Sequence, residues 1–433
     1  MAIIFLPNRC FFLPSSSSAM KINKLEITNF RCFEHLEIDM HPRLNAFVGV
    51  NGSGKTALLE AIRGALGAFF TGLEYENVEQ FYLNEKDVRV EYHGITKTEH
   101  RPVSIQCWAD INHRQGVHWV RAFNKKTTSS TEHIGQIRDI AKQMSLAVRN
   151  QELVNLPVLF YFSTQRLWLE RKDFGLKANG NPFGGYFNSL NAKSASFFFA
   201  DWFRRQEQHE FQNAQMNLGK DFSQLELVRQ IAVKCMPECK RLYFNAIEED
   251  LFVQFEDYDM PISLLSDGQK TLLLLCTGIA LQCVLLNSHL GMQANEAKGV
   301  VLIDEIDLHL HPAWQRKALP DLMEAFPNLQ FIVTTHSPQV LSQLPKESVF
   351  LLKNYQVDTG EVFTEGRDSN SILEDVFEVP ELEKKDEKEI NKIYGLIDEG
   401  KKEQAEEMLG KLLPKRGEDD REVQRIMSYL EFL

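Results

Sequence analysis

The chain has 433 residues, of which 43% are hydrophobic and 25% are charged, so it can bury one large core or two. No stretch approaches the roughly 18 unbroken apolar residues that a membrane-spanning helix needs, and we therefore expect no membrane attachment. The formal net charge of -12 argues against a protein that coats nucleic acid with its whole surface, because such a surface would be basic.

Cysteine usage and local charge narrow the choice of compartment and partner. Cys235 and Cys239 lie four positions apart, but no second pair offers the two further ligands of a zinc site, so a reducing cytoplasm is expected. Between Lys97 and Arg149 nine basic residues stand against four acidic ones. This segment is either a nucleic-acid contact or an ordinary solvated face. From Glu374 to the end there are eighteen acidic and eleven basic residues.

The first half of the chain combines strand and helix patterns. Residues 1–19 hold two short apolar patches and no signal-peptide pattern, so we expect a disordered leader or an upstream start. Alternating apolar residues predict strands at KINKLEITNF, HLEID and LNAFVGV, followed by a helix within NGSGKTALLEAIRGAL. Further patterns predict antiparallel strands at DVRVEYHG, VSIQCWADI and VHWVRAF, a helix over about 133–150 and a buried strand at LPVLFYF.

The second half is predicted to be mainly helical, with two buried strands. Residues 171–191 are rich in Gly and Asn and predict a loop. Helices follow at SASFFFADWFRRQEQHEFQNAQ and FSQLELVRQIAVKCM, and an apolar helix follows SLLSDGQK. The runs VVLID and LQFIVTT are typical of central parallel strands. The last fifty residues or so are predicted to be helical and highly charged.

The segment GVNGSGKT, Gly49 to Thr56, matches the eight-position phosphate loop between a predicted strand and a predicted helix. Gly52 and Gly54 would let backbone N–H groups close around a β-phosphate. Lys55 would reach the β- and γ-phosphates, and the Thr56 hydroxyl would bind Mg²⁺. ATP and Mg²⁺ are therefore the expected cofactors, and the alternative is a glycine turn before a helix. The candidate binding residues of this loop are Asn51, Gly52, Ser53, Gly54, Lys55 and Thr56.

Two later segments supply candidate catalytic residues. In GVVLIDEIDLH, Asp304 and Glu305 end a buried strand, at the sheet edge where open α/β folds bind ligands. Asp304 would hold Mg²⁺ opposite Thr56, and Glu305 would orient or deprotonate the attacking water. In FIVTTHSPQ, His336 follows another buried strand. It is a candidate sensor of the γ-phosphate, and the alternative is an ordinary surface histidine.

The segment SLLSDGQKTLLLL predicts a helix whose start is suited to an anion. The first N–H groups of a helix lack partners and its dipole is positive there, so Ser266 and the N–H of Gly268 are candidates for a phosphate contact. The motif does not say which phosphate is bound, or whether that phosphate is held by the same chain.

The phosphate loop, LSDGQ, the Asp-Glu pair and the strand-end histidine, in this order, resemble the ABC-type ATPase superfamily in the branch with RecF, SMC and OLD-family heads. The resemblance implies an α/β ATPase head, in which a mixed sheet with the phosphate-loop core is joined by an antiparallel β lobe, a helical insert and a helical C-terminal tail. It also implies that Ser266 and Gly268 meet the phosphate loop of another subunit, in a homodimer or higher homo-oligomer. Asp267, where many relatives have glycine, would then face outward.

The same resemblance extends to further residues. ITNFRCF implies that Arg31 lies near the nucleotide. Asp307 begins DLHLHP, which resembles the loop that crosses to the other subunit. Gln165, after the strand in FYFSTQRLW, resembles the Mg²⁺-contacting glutamine of the superfamily. His309 and His311 could also suggest a metal, but no third ligand is evident.

On this basis we expect five parts in the chain. The tail is either a protein-docking element or simple cover for the head. The parts are a leader at 1–19, ATPase lobe I at 20–165, a helical insert at 166–240, ATPase lobe II at 241–353 and an acidic helical tail at 354–433.

GVVLIDEIDLHLHPAWQ and FPNLQFIVTTHSPQVL resemble the PtuA-type ATPases of Septu and retron anti-phage systems. The implied partners are an HNH nuclease of the PtuB type and, in a retron, a reverse transcriptase with its RNA–DNA hybrid. About 210 residues without heptads separate phosphate loop and LSDGQ, which excludes SMC-type arms. The tail shows no paired-acid nuclease core of the OLD type. Two functions stay open: a defence ATPase that controls a separate nuclease through ATP-dependent dimerisation, and a RecF-like DNA-repair ATPase.

Overall fold

The computed structural model describes most of the chain in two compact units, Met1–Arg367 and Asp368–Leu433. The described residues are 18–75, 81–124, 127–130, 133–164, 181–191, 195–216, 224–358, 360, 362–377 and 384–432. The predicted leader at 1–19 lies almost wholly outside these ranges, and so does Gln165.

The strands of the described residues all belong to the first unit. They are β1 (Ser18–Phe30), β2 (Phe33–Asp39), β3 (Leu44–Val48), β4 (Arg89–His93), β5 (Thr96–His100), β6 (Val103–Asn112), β7 (Arg114–Asn124), β8 (Thr127–Ser130), β9 (Val158–Phe162), β10 (Arg241–Asn245), β11 (Asp250–Gln254), β12 (Asp259–Pro261), β13 (Gly299–Ile303), β14 (Leu329–Thr334), β15 (Val349–Lys353) and β16 (Gln356–Val357).

The helices of the described residues are shared between the two units. They are α1 (Lys55–Phe70), α2 (Gly135–Arg149), α3 (Ala195–Gln215), α4 (Gln224–Cys235), α5 (Asp267–Leu286), α6 (Pro312–Ala325) and α7 (Pro338–Leu341) in the first unit, and α8 (Ser369–Phe377), α9 (Lys384–Asp398), α10 (Lys402–Arg416) and α11 (Arg421–Glu431) in the second.

A central six-stranded sheet with the order β16-β15-β3-β14-β13-β9 organises the first unit. Strands β15, β3, β14, β13 and β9 are parallel, and only the short β16 pairs antiparallel. Every residue of β3, β9, β13 and β14 is buried, as expected for strands covered on both faces. Because parallel strands end at the same edge, the segments after β3, β13 and β14 meet there.

A second sheet, β2-β1-β6-β7-β8, is antiparallel and packs one face on the core. Strand β6 alternates strictly between buried and half-buried residues, which is the pattern of a one-sided sheet. Trp119 donates its indole N–H to the carbonyl of Ala65 in α1 at 2.9 Å. Gln330 of β14 exchanges two 2.8 Å hydrogen bonds with the backbone of Ile22 in β1. These contacts hold the antiparallel sheet against the phosphate-loop helix and the central sheet, and the predicted fold class is confirmed.

Helix α5 is the core helix of the first unit. It is the one described helix that is long and apolar enough to cross a membrane, but 83% of its most apolar stretch is buried inside the fold. Its capping residue is Ser266, whose hydroxyl accepts a hydrogen bond from the Gln269 N–H. A serine followed three residues later by glutamine is a strong helix start, so the predicted beginning of this helix is observed.

Several elements were not predicted from the sequence. The hairpin β10–β11 and strand β12 form a separate three-stranded sheet, and β15 extends the central sheet beside β3. Unlike the equally short but fully buried β3, β9 and β13, these strands are mostly half-buried or exposed, so their pairing depends on tertiary neighbours rather than on a clear apolar pattern. The described part of the predicted loop 171–191 contains a 3₁₀ turn at Pro182–Tyr186, whose Tyr186 packs against Phe69 and Phe70.

Three of the four described helices of the second unit, α9 to α11, share a core of their own. Its buried residues are Ile390, Ile393, Ile397, Ala405, Leu409, Leu412, Val423, Ile426 and Leu430. Residues 384–432 carry thirteen acidic and eleven basic side chains, whereas 374–383 carry five acidic and no basic ones. The expected acidity of the tail is therefore concentrated before α9, and the three-helix core is close to neutral.

Candidate functional site

The phosphate loop adopts a backbone that requires glycine at two positions. Gly52 has φ 81° and Gly54 has φ 101°, a region that residues with a Cβ rarely adopt. At Gly54 a Cβ would also lie 2.8 Å from Cζ of Phe33. The loop therefore keeps its shape only with glycine at 52 and 54, as the motif predicts. Asn51 and Gly52 are exposed and Ser53 is buried.

Lys55, the first residue of α1, is folded back onto the loop. Its ammonium group donates to the carbonyls of Gly49 at 2.9 Å and Val50 at 3.0 Å, and the side chain is only 6% exposed. Burial lowers the pKa of Lys55 to about 8, although the nearby carboxylates of Glu305, Asp304 and Asp307 act to raise it. The loop therefore holds a desolvated cation close to three acidic side chains.

Asp304, the first residue after β13, joins the phosphate loop to the neighbouring strand. Its carboxylate is 1% exposed and accepts the Thr56 hydroxyl at 3.0 and 3.2 Å. Thr334, at the end of β14, donates its hydroxyl to the same carboxylate at 2.7 Å. The structure thus brings Thr56 and Asp304 together as predicted, and it adds Thr334, which the sequence reasoning missed.

Oxygen ligands of this kind fit Mg²⁺. Within the described residues, no group of three or more His, Cys, Asp or Glu side chains is arranged to hold a metal ion. Mg²⁺ commonly uses one or two protein oxygens together with water and substrate phosphates. The Thr56 hydroxyl and the Asp304 carboxylate form such a pair. His311 accepts the Ala313 N–H at 3.3 Å and caps α6.

Glu305 lies in an unusual backbone conformation beside this pair. Its φ is +48°, a left-handed value that costs a residue with a side chain about 1 kcal/mol or more. Its N–H donates to the Thr334 hydroxyl at 2.7 Å, which helps to hold that conformation. The half-buried Glu305 carboxylate acts to raise the pKa of Lys55, so its charge lies near the phosphate loop.

His336 and Asp307 meet at the end of β14. The Asp307 carboxylate accepts the Thr335 hydroxyl at 2.5 Å and the His336 N–H at 3.3 Å. Burial and the charge of Lys55 lower the pKa of His336, so its imidazole is neutral near pH 7. His336 therefore lies near Lys55, as a γ-phosphate sensor would. The Asp307 carboxylate is hydrogen-bonded to Thr335 and His336 of its own chain.

Arg31 lies beside the phosphate loop, but its charge is engaged by acidic residues. Its guanidinium donates to the Asp87 carboxylate at 2.9 and 3.1 Å and is 3.8 Å from that of Glu60. The next residues along the chain, Cys32 and Phe33, lie against Gly54. A contact of Arg31 with nucleotide stays a prediction, and it would require exchange of these ion pairs.

Close backbone packing at the start of α5 is a second reason for glycine at position 268, besides the phosphate contact that the motif predicts. Ser266 and Asp267 are exposed, whereas Gly268 is buried. A Cβ on Gly268 would lie 2.5 Å from the carbonyl oxygen of His309, so the close approach of two backbone segments requires glycine here. A phosphate contact by Ser266 and Gly268 across a dimer stays a prediction. Orientation of the Asp267 carboxylate away from such a phosphate also stays a prediction.

The basic segment from Lys97 to Arg149 is partly neutralised by ion pairs. Lys97 and Arg101 bind Glu99, and Arg149 binds Glu74. Arg121 is 2% exposed and lies in the core. These contacts favour the ordinary solvated face over a nucleic-acid surface at this segment.

Comparison with known proteins identifies the class to which this site belongs. The family model described as "AAA domain" matches residues 24–249, just over half of the chain. The chain therefore belongs to the AAA domain family, and the predicted class, an ATP-binding ATPase, is confirmed.

Named relatives narrow this class. The chain is 25% identical over 396 residues to the "Retron Vc95 probable ATPase" of Vibrio cholerae, covering 78% of this chain and 74% of that protein. It is 23% identical over 331 residues to the "Septu protein PtuA" of Bacillus thuringiensis, covering 74% and 72%. A match of 39% identity to the "Retron Ec83 probable ATPase" of Escherichia coli covers 36% of this chain and only 28% of that protein.

Two further similarities are more limited. The chain is 30% identical to "DNA replication and repair protein RecF" of Lactococcus lactis over 135 residues, 31% of this chain and 35% of that protein. The "SmcHead bound to the C-winged helix domain of ScpA" matches with a TM-score of 0.45 and 16% identity, over 78% of this chain and 96% of that chain. The structural likeness is too distant to bear on function. The relatives place the chain among ATPases of the defence or repair type.

The lowered pKa of Lys55 leads to a prediction about proton uptake. Phosphate oxygens favour the charged ammonium, so nucleotide binding raises this pKa above about 8. Above about pH 8 the free chain holds a partly neutral Lys55, and binding must take up a fraction of a proton. We expect ATP affinity to fall as the pH rises through 8, and calorimetry at pH 8.5 in buffers of different protonation enthalpy measures the uptake.

The same calorimetry at pH 7.0 is the internal control, because Lys55 is then already charged and the uptake should be small. The Lys55→Arg variant keeps a permanent charge, so its proton uptake on ATP binding should be the same at pH 7.0 and pH 8.5. If the unmodified chain takes up equal amounts of protons at both pH values, Lys55 is not the group that titrates on ATP binding.

Proposed function

We propose that this chain binds ATP with Mg²⁺ at the carboxyl edge of its central sheet and hydrolyses it. The observation that supports this proposal is the convergence of Lys55, Thr56, Asp304, Glu305 and His336 from the ends of three neighbouring strands. Lys55 would bind the β- and γ-phosphates. Thr56 and Asp304 would hold Mg²⁺, which neutralises charge on the phosphates when it is bound.

The chemistry assigned to the chain's own groups follows from their positions. Glu305 would orient the attacking water and accept its proton, a task for a carboxylate near the γ-phosphate. His336, held neutral by burial and by Lys55, would donate or accept a hydrogen bond at the γ-phosphate. Lys55 would exchange the carbonyls of Gly49 and Val50 for phosphate oxygens, so nucleotide binding changes the loop's own hydrogen bonds.

Replacement of Glu305 by glutamine tests this assignment. The amide cannot accept the proton of water, so we expect Glu305→Gln to bind ATP normally and to lose about 10²- to 10⁴-fold in kcat. In the proposed dimer the unhydrolysed ATP should trap two chains together, visible as an ATP-dependent shift in size-exclusion chromatography with light scattering. Lys55→Ala is the paired control, because it should neither bind ATP nor dimerise.

We also propose that the active assembly is a homodimer or a higher homo-oligomer in which the start of α5 faces the phosphate loop of the partner subunit. Three facts support this arrangement. Ser266 and Asp267 are exposed, the helix is twenty residues long, and the Ser266 hydroxyl bonds locally to Gln269, accepting its N–H and donating to its side-chain oxygen. The N–H groups of the first turn of such a helix are suited to phosphate.

Mixing two inactive variants tests the shared site. Ser266→Arg should block the contact by bulk, and Lys55→Ala should remove nucleotide binding, so each homodimer carries two damaged sites. A mixed dimer keeps one intact composite site, so equal mixing should restore part of the ATPase activity that neither variant shows alone. Ser266→Ala is the control for loss of the helix cap alone. An active Ser266→Arg homodimer would disprove the shared site.

We propose a defence role for this ATPase, in which ATP-dependent dimerisation controls a separate nuclease of the PtuB-like HNH type. A reverse transcriptase with its RNA–DNA hybrid would be a further partner in a retron setting. The named retron and Septu relatives match about three quarters of this chain, which favours this role. The RecF similarity covers 31% of it and supports the second candidate, a DNA-repair ATPase.

Affinity purification of the tagged chain from its native host separates the two roles. We expect an HNH nuclease to copurify, and a chain lacking residues 382–433 to keep its ATPase activity but lose the nuclease, because these residues include most of a separate compact unit. Repair is favoured instead if gapped DNA stimulates the ATPase of the purified chain alone and no nuclease copurifies. Retention of the nuclease by the shortened chain would assign docking to the first unit.

A further inference from the structure

The loop of residues 305–311, which we call the acidic-pair loop, connects Glu305 to helix α6. Gln315 in α6 contacts this loop through both ends of its side-chain amide. Its nitrogen donates to the carbonyls of Leu310 at 2.9 Å and Asp307 at 3.3 Å, and its oxygen accepts the Ser337 hydroxyl at 2.6 Å. Only the NH₂ group can donate to carbonyls, so these partners determine the amide orientation.

The other side of the acidic-pair loop is held by the residues around His336. Thr335 donates its hydroxyl to the Asp307 carboxylate at 2.5 Å, and the N–H of His336 reaches the same oxygen. The Ser337 N–H donates to the Thr335 hydroxyl at 3.0 Å. Gln315 and Asp307 therefore hold the residues on both sides of His336.

The far end of the acidic-pair loop contacts the start of α5. The carbonyl of His309, a residue with φ +65°, packs against Gly268 at a distance that excludes a side chain. Leu310 packs with Leu272 of α5 and Ala318 of α6 in one small apolar cluster. One loop therefore contains Glu305 and contacts both His336 and the start of α5.

We propose that Gln315 is a positioning residue for ATP hydrolysis. It fixes the acidic-pair loop in one conformation, so that His336, Glu305 and the start of α5 keep a set relative orientation. Gln315 itself touches no nucleotide; it acts through the carbonyls of Asp307 and Leu310 and the hydroxyl of Ser337. The inference rests on the proposed hydrolysis at Glu305 and assigns a role to the glutamine of HLHPAWQ.

The first test compares Gln315→Leu with Gln343→Leu. Leucine has a similar size but cannot form the three hydrogen bonds, so we expect kcat to fall about ten- to a hundredfold, as small misplacements of catalytic groups do. The dissociation constant for ATP should stay within about twofold, because the phosphate loop is unchanged. Gln343 is exposed and its side-chain amide donates to the adjacent Ser342 hydroxyl, so its leucine variant should behave as wild type. A wild-type kcat in Gln315→Leu overturns the proposal.

Hydrogen exchange distinguishes positioning from a general loss of stability. The N–H groups of Leu308 and Leu310 bond within the acidic-pair loop, to Glu305 at 3.0 Å and Asp307 at 3.1 Å. They should exchange faster in Gln315→Leu, while amides of α1 are unchanged. Equal acceleration in α1, with ATP affinity falling in parallel, would show a merely structural role.

A double variant tests whether the two sides act as one unit. Thr335→Val removes, at nearly constant volume, the hydroxyl that donates to Asp307 and accepts the Ser337 N–H. If both side chains fix the same loop, Gln315→Leu/Thr335→Val loses little more kcat than the single variants. If the kcat losses of the two single variants instead multiply in the double variant, the two side chains do not act as one unit. If Glu305→Gln hydrolyses ATP normally, the proposed function fails, and the exchange measurement still decides whether Gln315 holds the loop.

Discussion

The buried carboxylate of Asp304 is the interaction on which the candidate site depends. A carboxylate that is 1% exposed is costly unless hydrogen bonds replace its water. Thr56 from the start of α1 and Thr334 from the end of β14 supply these bonds. Because each hydroxyl must lie within hydrogen-bond distance of the same group, the phosphate loop, β13 and β14 are held at a fixed relative position.

Lys55 is the buried cation that faces this carboxylate. The carbonyls of Gly49 and Val50 solvate its ammonium group in place of water, and burial still lowers its pKa. A bound polyphosphate would supply the negative charge that loop carbonyls lack. The loop therefore holds a buried cation suited to an anion, at a cost that the carboxylates of Asp304, Glu305 and Asp307 partly offset.

The start of α5 connects this site to the rest of the molecule. In its own chain, Gly268 allows the backbone of His309 to approach closely, and the acidic-pair loop runs from there to Glu305. In the proposed dimer, the same helix start would meet the phosphate loop of the partner subunit. A change at one nucleotide site could thus reach the other through a short, hydrogen-bonded segment in which Gln315 is central.

The sequence by itself determined the local parts of the site. Glycines at 52 and 54, Lys55 and Thr56 form a pattern whose backbone geometry is local, and the apolar runs before Asp304 and His336 predict buried strands because hydrophobic period is a local property. Only the tertiary structure decided which further side chains hold these local parts in position. Thr334 and Gln315 are ordinary residues in sequence, and become important only because β14 pairs with β13 and α6 brings Gln315 against the acidic-pair loop. The short strands β10 to β12, and the close approach of Gly268 to His309, likewise depend on distant segments, whose packing no local pattern encodes.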